Sequence, residues 1–224
     1  GKSAIVHKIS AEANLPVIDL RASLLDPTDL RGIPAIVDKQ AVWCPPAFLP
    51  TEKDKPGILF LDEINAAPPL VQASLYQLVL DRRVGEYILP DGWWIVAAGN
   101  RQKDRAVTFR MSSALSNRFV HLDLETDVSD WRAWALEKEL EPLVVAFIGY
   151  RPALLREDPG ESSAFPTPRS WEMLSDIIKK FGSLQACLDI VPGVVGSGAS
   201  TEFAAFVKRA LNMKQMEAIV ADPS

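Results

Sequence analysis

Apolar positions along the 224-residue chain follow two different rhythms, one before and one after about residue 125. In the first part, short apolar runs alternate with amphipathic stretches. Residues 2–14 carry a helical pattern, Pro16–Leu20 forms a short apolar strand, and Asp26–Arg31 reads as a short helical turn. Residues 33–44 read as two extended runs around Asp38-Lys39-Gln40, closed by Pro45, Pro46 and Pro50, which discourage a continuing helix or central strand. Gly57–Leu61 is a continuous apolar run, the signature of a strand buried on both faces of a parallel sheet. Pro68-Pro69 opens a helix whose apolar stripe is Val71, Leu75, Leu78 and Val79. A second hairpin is expected over Arg83–Leu89, turning at Val84-Gly85-Glu86, and further strands over Trp93–Ala98 and Phe119–Leu124.

Strands alternating with helices predict an α/β domain over residues 1–126. Residues 127–224 are helical in pattern, interrupted by Pro142, by the 158–168 loop and by Gly193–Gly198, and predict a small helical second domain. No internal repeat or low-complexity tract occurs.

Composition narrows the class. With 48% hydrophobic and 24% charged residues the chain can bury a substantial core. A net charge of −5 gives no basic footprint of a dedicated nucleic-acid binder. The two cysteines, Cys44 and Cys187, and the two histidines, His7 and His121, show no metal-ligand spacing, and both thiols are read as apolar fillers in a reducing cytosol. No run approaches the roughly 18 apolar residues of a membrane span, and no secretory signal opens the chain, so a cytoplasmic protein is expected.

Candidate chemistry sits where apolar runs end. Gly1-Lys2-Ser3 matches the end of the phosphate-loop pattern G-x-x-x-x-G-K-[ST], in which the lysine reaches phosphates and the serine hydroxyl binds Mg²⁺ at a helix start. Three residues alone better describe an ordinary surface helix start. Asp62-Glu63 directly follows the buried run, at the carboxyl edge where open α/β sheets bind ligands. Asp62 would hold Mg²⁺ through water and Glu63 would act as general base, the alternative being an acidic strand-to-loop turn. Asn100 ends the run IVAAGN and could orient a water beside a γ-phosphate, or belong to a plain Gly-Asn turn. Arg118, before the expected last strand, could stabilise transition-state charge in a neighbouring subunit or be a surface cation at a helix end. Thr167-Pro168 reads as an N-cap and first helical residue, which puts Arg169 in a first turn, where a cation opposes the helix dipole unless an anion lies near.

These motifs, in this order, resemble the AAA+ superfamily, specifically the MoxR branch of its helix-2-insert group. GKS is similar to the end of Walker A, ILFLDEINAA to Walker B, VAAGN to sensor 1, ALSNRF to the arginine-finger region and FPTPRSWE to the sensor 2 helix. The resemblance extends over essentially the whole chain. It implies an AAA+ P-loop NTPase core with a C-terminal helical lid, ATP and Mg²⁺ as ligands, and ATP hydrolysis in a ring, a hexamer, that remodels or matures client proteins. A von Willebrand factor A domain protein is an implied partner. Gly1, Lys2, Ser3, Asp62, Glu63, Asn100 and Arg169 would serve the subunit's own nucleotide, with Ser3 and Asp62 at the metal, and Arg118 a neighbour's. Both hairpins would project toward the pore or a client.

The chain departs from that pattern at its start. The part of Walker A before Gly1, with the strand leading into it, is absent, so the chain is expected to be a fragment that binds ATP poorly by itself. A catalytically silent interaction module is one competing reading. A DNA-acting motor is another, for which Arg82-Arg83 and Arg101, Lys103, Arg105 and Arg110 supply the only basic clusters.

Overall fold

The computed structural model describes residues 1–100, 109, 111–158 and 162–221. The chain divides into two compact units, Gly1–Leu124 and Glu125–Ser224.

In the first unit, helix α1 (Lys2–Glu12) leads to strand β1 (Val17–Arg21), helix α2 (Pro27–Arg31) and strands β2 (Ile33–Val37) and β3 (Gln40–Cys44). Strand β4 (Ile58–Asp62), helix α3 (Pro69–Asp81), the short strands β5 (Arg83–Val84) and β6 (Tyr87–Ile88), strand β7 (Trp94–Ala97) and helix α4 (Ser113–Ser116) follow. The main sheet is parallel, in the order β1-β4-β7. It is flanked by helices, giving the mixed α/β core expected from the sequence.

Strand β4 explains the layering. Its side chains alternate between two apolar clusters, as the twofold period of a strand requires. Leu59 and Leu61 pack with Leu30, Val71, Leu75 and Leu78 on the side of α2 and α3. Ile58 and Phe60 pack with Val6 of α1, Leu15, Val17 and Ala98 on the other side. Leu59, Phe60 and Leu61 are fully buried, which only a strand paired on both edges and covered on both faces allows.

Local chemistry shapes the connections. Asp26 and Asp29 form a reciprocal capping box at the start of α2. Gly32 then takes φ +83°, and a Cβ there would stand 1.9 Å from the carbonyl oxygen of Cys44, so only glycine lets the two ends of the β2–β3 hairpin close. Val37 pairs with Gln40 across a two-residue loop in which Asp38 and Lys39 both have positive φ, the primed geometry that suits strand twist. The turn is therefore one residue tighter than the sequence pattern predicts. Apart from half-buried Ala35, every residue of this hairpin is exposed.

Arg82 ends α3 in the left-handed conformation. Its guanidinium donates to the carbonyls of Pro90 (2.9 Å) and Trp93 (3.1 Å), tying the β5–β6 hairpin to the entry of β7. Arg82 is thus occupied inside the fold, which removes it from the basic cluster that the sequence offered to nucleic acid; Arg101, Lys103, Arg105 and Arg110 lie outside the described residues.

One expected element is corrected. Residues 119–124 form no strand, although Val120, Leu122 and Leu124 keep an alternating pattern. A strand needs a neighbour to carry its ladder, and no described strand pairs with the outer edge of β7. Local bonds hold the start of the segment instead: the Phe119 N–H donates to the Ser116 carbonyl (3.3 Å), which also lies 2.8 Å from the His121 Nε2.

The second unit is helical: α5 (Val128–Glu137), α6 (Pro142–Tyr150), α7 (Pro168–Phe181), α8 (Val191–Val195) and α9 (Ser197–Ala221). Its core is an aromatic cluster in which Phe147 lies 5.4 Å from Trp171 and 5.2 Å from Phe203, ring centre to ring centre, a spacing at which edge contacts add to area burial. Thr167 caps α7, its hydroxyl accepting from the Ser170 N–H (3.0 Å) while Ser170 accepts from the Thr167 N–H (2.8 Å). Among the described residues no helix is long and apolar enough to cross a membrane.

Tyr87 gives the first unit an alkaline sensitivity. Its hydroxyl donates to the Pro50 carbonyl at 2.8 Å, and burial pushes its pKa up to about 12 from the usual 10.0. A raised folded-state value means that its contribution is complete below pH 10.0 and is lost as pH rises toward about 12. Tyr87→Phe is expected to lower Tm near neutrality and to flatten its decline across that window, as read by thermal unfolding at stepped pH.

Candidate functional site

Parallel pairing aligns the carboxyl ends of the three main strands. Arg21 of β1 stands in register with Asp62 of β4, and Leu61 of β4 with Ala97 of β7. Just beyond these ends lie the single 3-10 turns Ala22–Leu24 and Ile64–Ala66 and the irregular segment Ala98–Asn100. Open α/β sheets bind ligands at this edge.

The start of α1 meets the same edge. Ser3 Oγ donates to Asp62 Oδ2 at 2.7 Å. Lys2 Nζ donates to Asn100 Oδ1 at 2.9 Å and also to the Gly99 carbonyl. Gly1 is the N-cap residue of α1 and contributes no side-chain cap. Its carbonyl accepts from the Ile5 N–H at 3.2 Å. A cation, a hydroxyl and a helix start therefore lie together against one carboxylate and one amide.

Asp62 and Glu63 point to different partners. The second oxygen of Asp62, Oδ1, accepts from the Glu63 N–H at 2.9 Å. Glu63 has left-handed backbone geometry, φ 56° and ψ 36°, a conformation that costs a non-glycine residue about 1 kcal/mol or more. This bend turns its side chain toward the end of β1, where Ser23 Oγ donates to Glu63 Oε2 at 2.6 Å.

Two residues here carry contacts that sequence reasoning assigned to no role. Ser23 is one; nothing in its spacing marks it, because only the β1–β4 register brings it beside Glu63. Asn65 is the other. It was part of the Walker B-like run, but its contact to the Gly99-Asn100 tip follows from the β4–β7 pairing.

The arrangement suits an anion with a hard cation. The Lys2 ammonium and the first-turn amides of α1 favour phosphate oxygens. Ser3 Oγ and Asp62 Oδ2 share one locus and are hard oxygen donors. Among the described residues no group of three His, Cys, Asp or Glu side chains could hold a metal unaided. A hydroxyl and a single carboxylate nevertheless fit Mg²⁺, which takes few protein ligands and completes its shell with waters and phosphate oxygens.

The two arginines belong to other elements. Arg118 is exposed just beyond α4, its backbone N–H bonded to the Leu115 carbonyl at 3.1 Å. Arg169 is exposed in the first turn of α7, in the second unit.

No protein-family model and no curated protein matches the chain. Among solved structures, it is similar to NtrX from Brucella abortus, with 17% identity and a TM-score of 0.43, over 92% of this chain and 61% of that one. It is also similar to the same protein in complex with ADP, with 16% identity and a TM-score of 0.41, over 92% of this chain and 62% of that one. The chain thus spans less than two thirds of either.

Ser3 Oγ donates to Asp62 Oδ2. Ser3→Ala leaves that half-buried carboxylate oxygen without it and is expected to cost about 1 kcal/mol of stability. Ser3→Thr keeps the hydroxyl and should cost less. Chemical denaturation of the two variants decides: equal losses would show that the bond to Asp62 contributes nothing.

Proposed function

We propose that this chain belongs to an AAA+ ATPase of the MoxR type, and that the edge formed by α1, β4 and β7 handles ATP with Mg²⁺. The observation that carries the reading is the convergence of Lys2 and Ser3, from the start of α1, on Asn100 and Asp62, from the ends of two buried parallel strands. Lysine and serine at a helix start facing a strand-end carboxylate are the groups that phosphoryl transfer needs for charge neutralisation and metal placement.

In this reading Lys2 leaves the Gly99-Asn100 tip to contact the β and γ phosphates, and Gly1 and Ser3 line the phosphate at the helix start. Ser3 and, through water, Asp62 would hold Mg²⁺, which would supply charge neutralisation. Asn100 orients the attacking water. The Glu63 carboxylate accepts a proton from that water as its oxygen bonds to the γ-phosphorus. The bond from the γ-phosphorus to the bridging oxygen breaks, releasing ADP and inorganic phosphate. Glu63 must first exchange its bond with Ser23 for one with water, so the Ser23 contact is a resting arrangement of the base.

The finer assignments follow the resemblance. Arg169 would contact the subunit's own nucleotide and Arg118 a neighbour's, in a ring of six. The exposed β2–β3 hairpin would face a client or the pore, and a von Willebrand factor A domain protein would be a partner.

ATP binding and turnover by this chain and by a longer protein, extended upstream to complete the phosphate-loop pattern, test the proposal. Binding and turnover by the longer protein support it, and Glu63→Gln in that protein is expected to keep ATP affinity while turnover falls by at least about a hundredfold. Absence of ATP binding in both would favour a silent interaction module. Turnover that survives Glu63→Gln would remove Glu63 as the base.

A further inference from the structure

The turn after β4 and the tip of β7 are joined more tightly than a strand end requires. The Ile64 N–H donates to the Ala98 carbonyl at 3.0 Å. One residue on, the side chain of Asn65 imitates a backbone partner: its Nδ2 donates to the Asn100 carbonyl at 2.5 Å, and its Oδ1 accepts from the Asn100 N–H at 3.0 Å. Both backbone polar groups of Asn100 are thus satisfied by one amide side chain, which continues the ladder beyond Ala97, where strand pairing ends. The Asn65 backbone carbonyl in turn accepts from the Phe109 N–H at 2.7 Å.

Gly99 belongs to the same device. A Cβ at this position would lie 2.7 Å from Asn65 Oδ1 and 3.0 Å from its Cγ. The obstructing atoms are those that grip Asn100, so a side chain at 99 could be admitted only by moving Asn65 off Asn100.

We infer that Asn65 is a positioning residue for the phosphate-handling site: it holds the backbone of Asn100 so that the Asn100 side chain, which meets Lys2, is presented at a fixed point of the sheet edge. The inference rests on the ATPase reading above. The side-chain hydrogen bonds of Asn65 go to the Asn100 backbone, so it acts through Asn100. Loss of the clamp frees the Asn100 backbone to swing. A misplacement of about 1 Å at a reacting group costs on the order of a hundredfold in rate, while ground-state affinity, dominated by contacts to phosphates, changes little.

The test uses the protein extended upstream to complete the phosphate-loop pattern, and reads kcat, nucleotide Kd, Tm and the hydrogen exchange of the Asn100 amide. Asn65→Ala is expected to lower kcat by about tenfold to a hundredfold, to leave Kd within about threefold, and to speed exchange at Asn100. Gly99→Ala should reproduce these changes, and the double variant should be no worse than either single one, because both break the same contact. Asn65→Asp fills the same space but sets a carboxylate against the Asn100 carbonyl; it should lose turnover as alanine does while keeping a native Tm, which separates the hydrogen bonds from packing. Wild-type kcat in Asn65→Ala or Asn65→Asp would overturn the inference while leaving the ATPase reading intact. So would effects of Asn65→Ala and Gly99→Ala that multiply. A wild-type protein that turns over no ATP would overturn the ATPase reading, and the positioning role with it.

Discussion

The pairing of β4 on both of its edges is the constraint on which the rest of the first unit depends. A central strand with ladders to β1 and β7 has no free backbone groups and no face open to water, so its residues must be apolar until the chain emerges. Ile58 to Leu61 meet that demand and Asp62 marks the emergence. Because all three strands run parallel, their carboxyl ends arrive together, and the polar residues that follow each one collect at a single edge. The site is a consequence of the sheet's direction before it is a matter of any one side chain.

What collects there is a set of reactive groups resting on one another. The Lys2 ammonium sits on Asn100, the Ser3 hydroxyl on Asp62, and the Ser23 hydroxyl on Glu63. Each bond joins residues distant in sequence. A ligand entering here must exchange these contacts for its own, so its affinity is a difference between two sets of hydrogen bonds. The left-handed backbone at Glu63 adds a directional element: it turns the carboxylate away from Asp62, so two adjacent acids serve different neighbours. The backbone of Asn100, meanwhile, is held by the amide of Asn65.

Much of this was legible in the residue pattern. The buried run before Asp62, the helical stripe Val71, Leu75 and Leu78, and the hairpin around Asp38-Lys39 each rest on local rules, namely period, proline placement and turn chemistry. Asp62, Glu63 and Asn100 could be picked out because polar residues directly after apolar runs mark strand ends, and Lys2 and Ser3 because they match the end of a phosphate-loop pattern. Ser23 and Asn65 could not, since an ordinary serine in a turn and an ordinary asparagine after two acids gain their meaning from strand register. Arg82 misled for the complementary reason: as a neighbour of Arg83 it suggested a surface charge cluster, whereas its side chain is spent on the carbonyls of Pro90 and Trp93. Residues 119–124 show the limit most plainly, because an alternating pattern makes a segment capable of being a strand without supplying the strand it would pair with.

The sequence by itself determined most of the helices and strands, which faces are apolar, and which residues stand at the ends of buried strands; these follow from interactions within a few residues, which a linear pattern encodes. Only the tertiary structure decided which ends meet. Whether Ser3 reaches Asp62, whether Ser23 or a solvent molecule receives Glu63, and whether Asn65 grips Asn100 depend on the order and register of β1, β4 and β7. Those are set by the packing of α1, α2 and α3 on the two faces of β4, a balance of burial over the whole unit that no local stretch of residues contains.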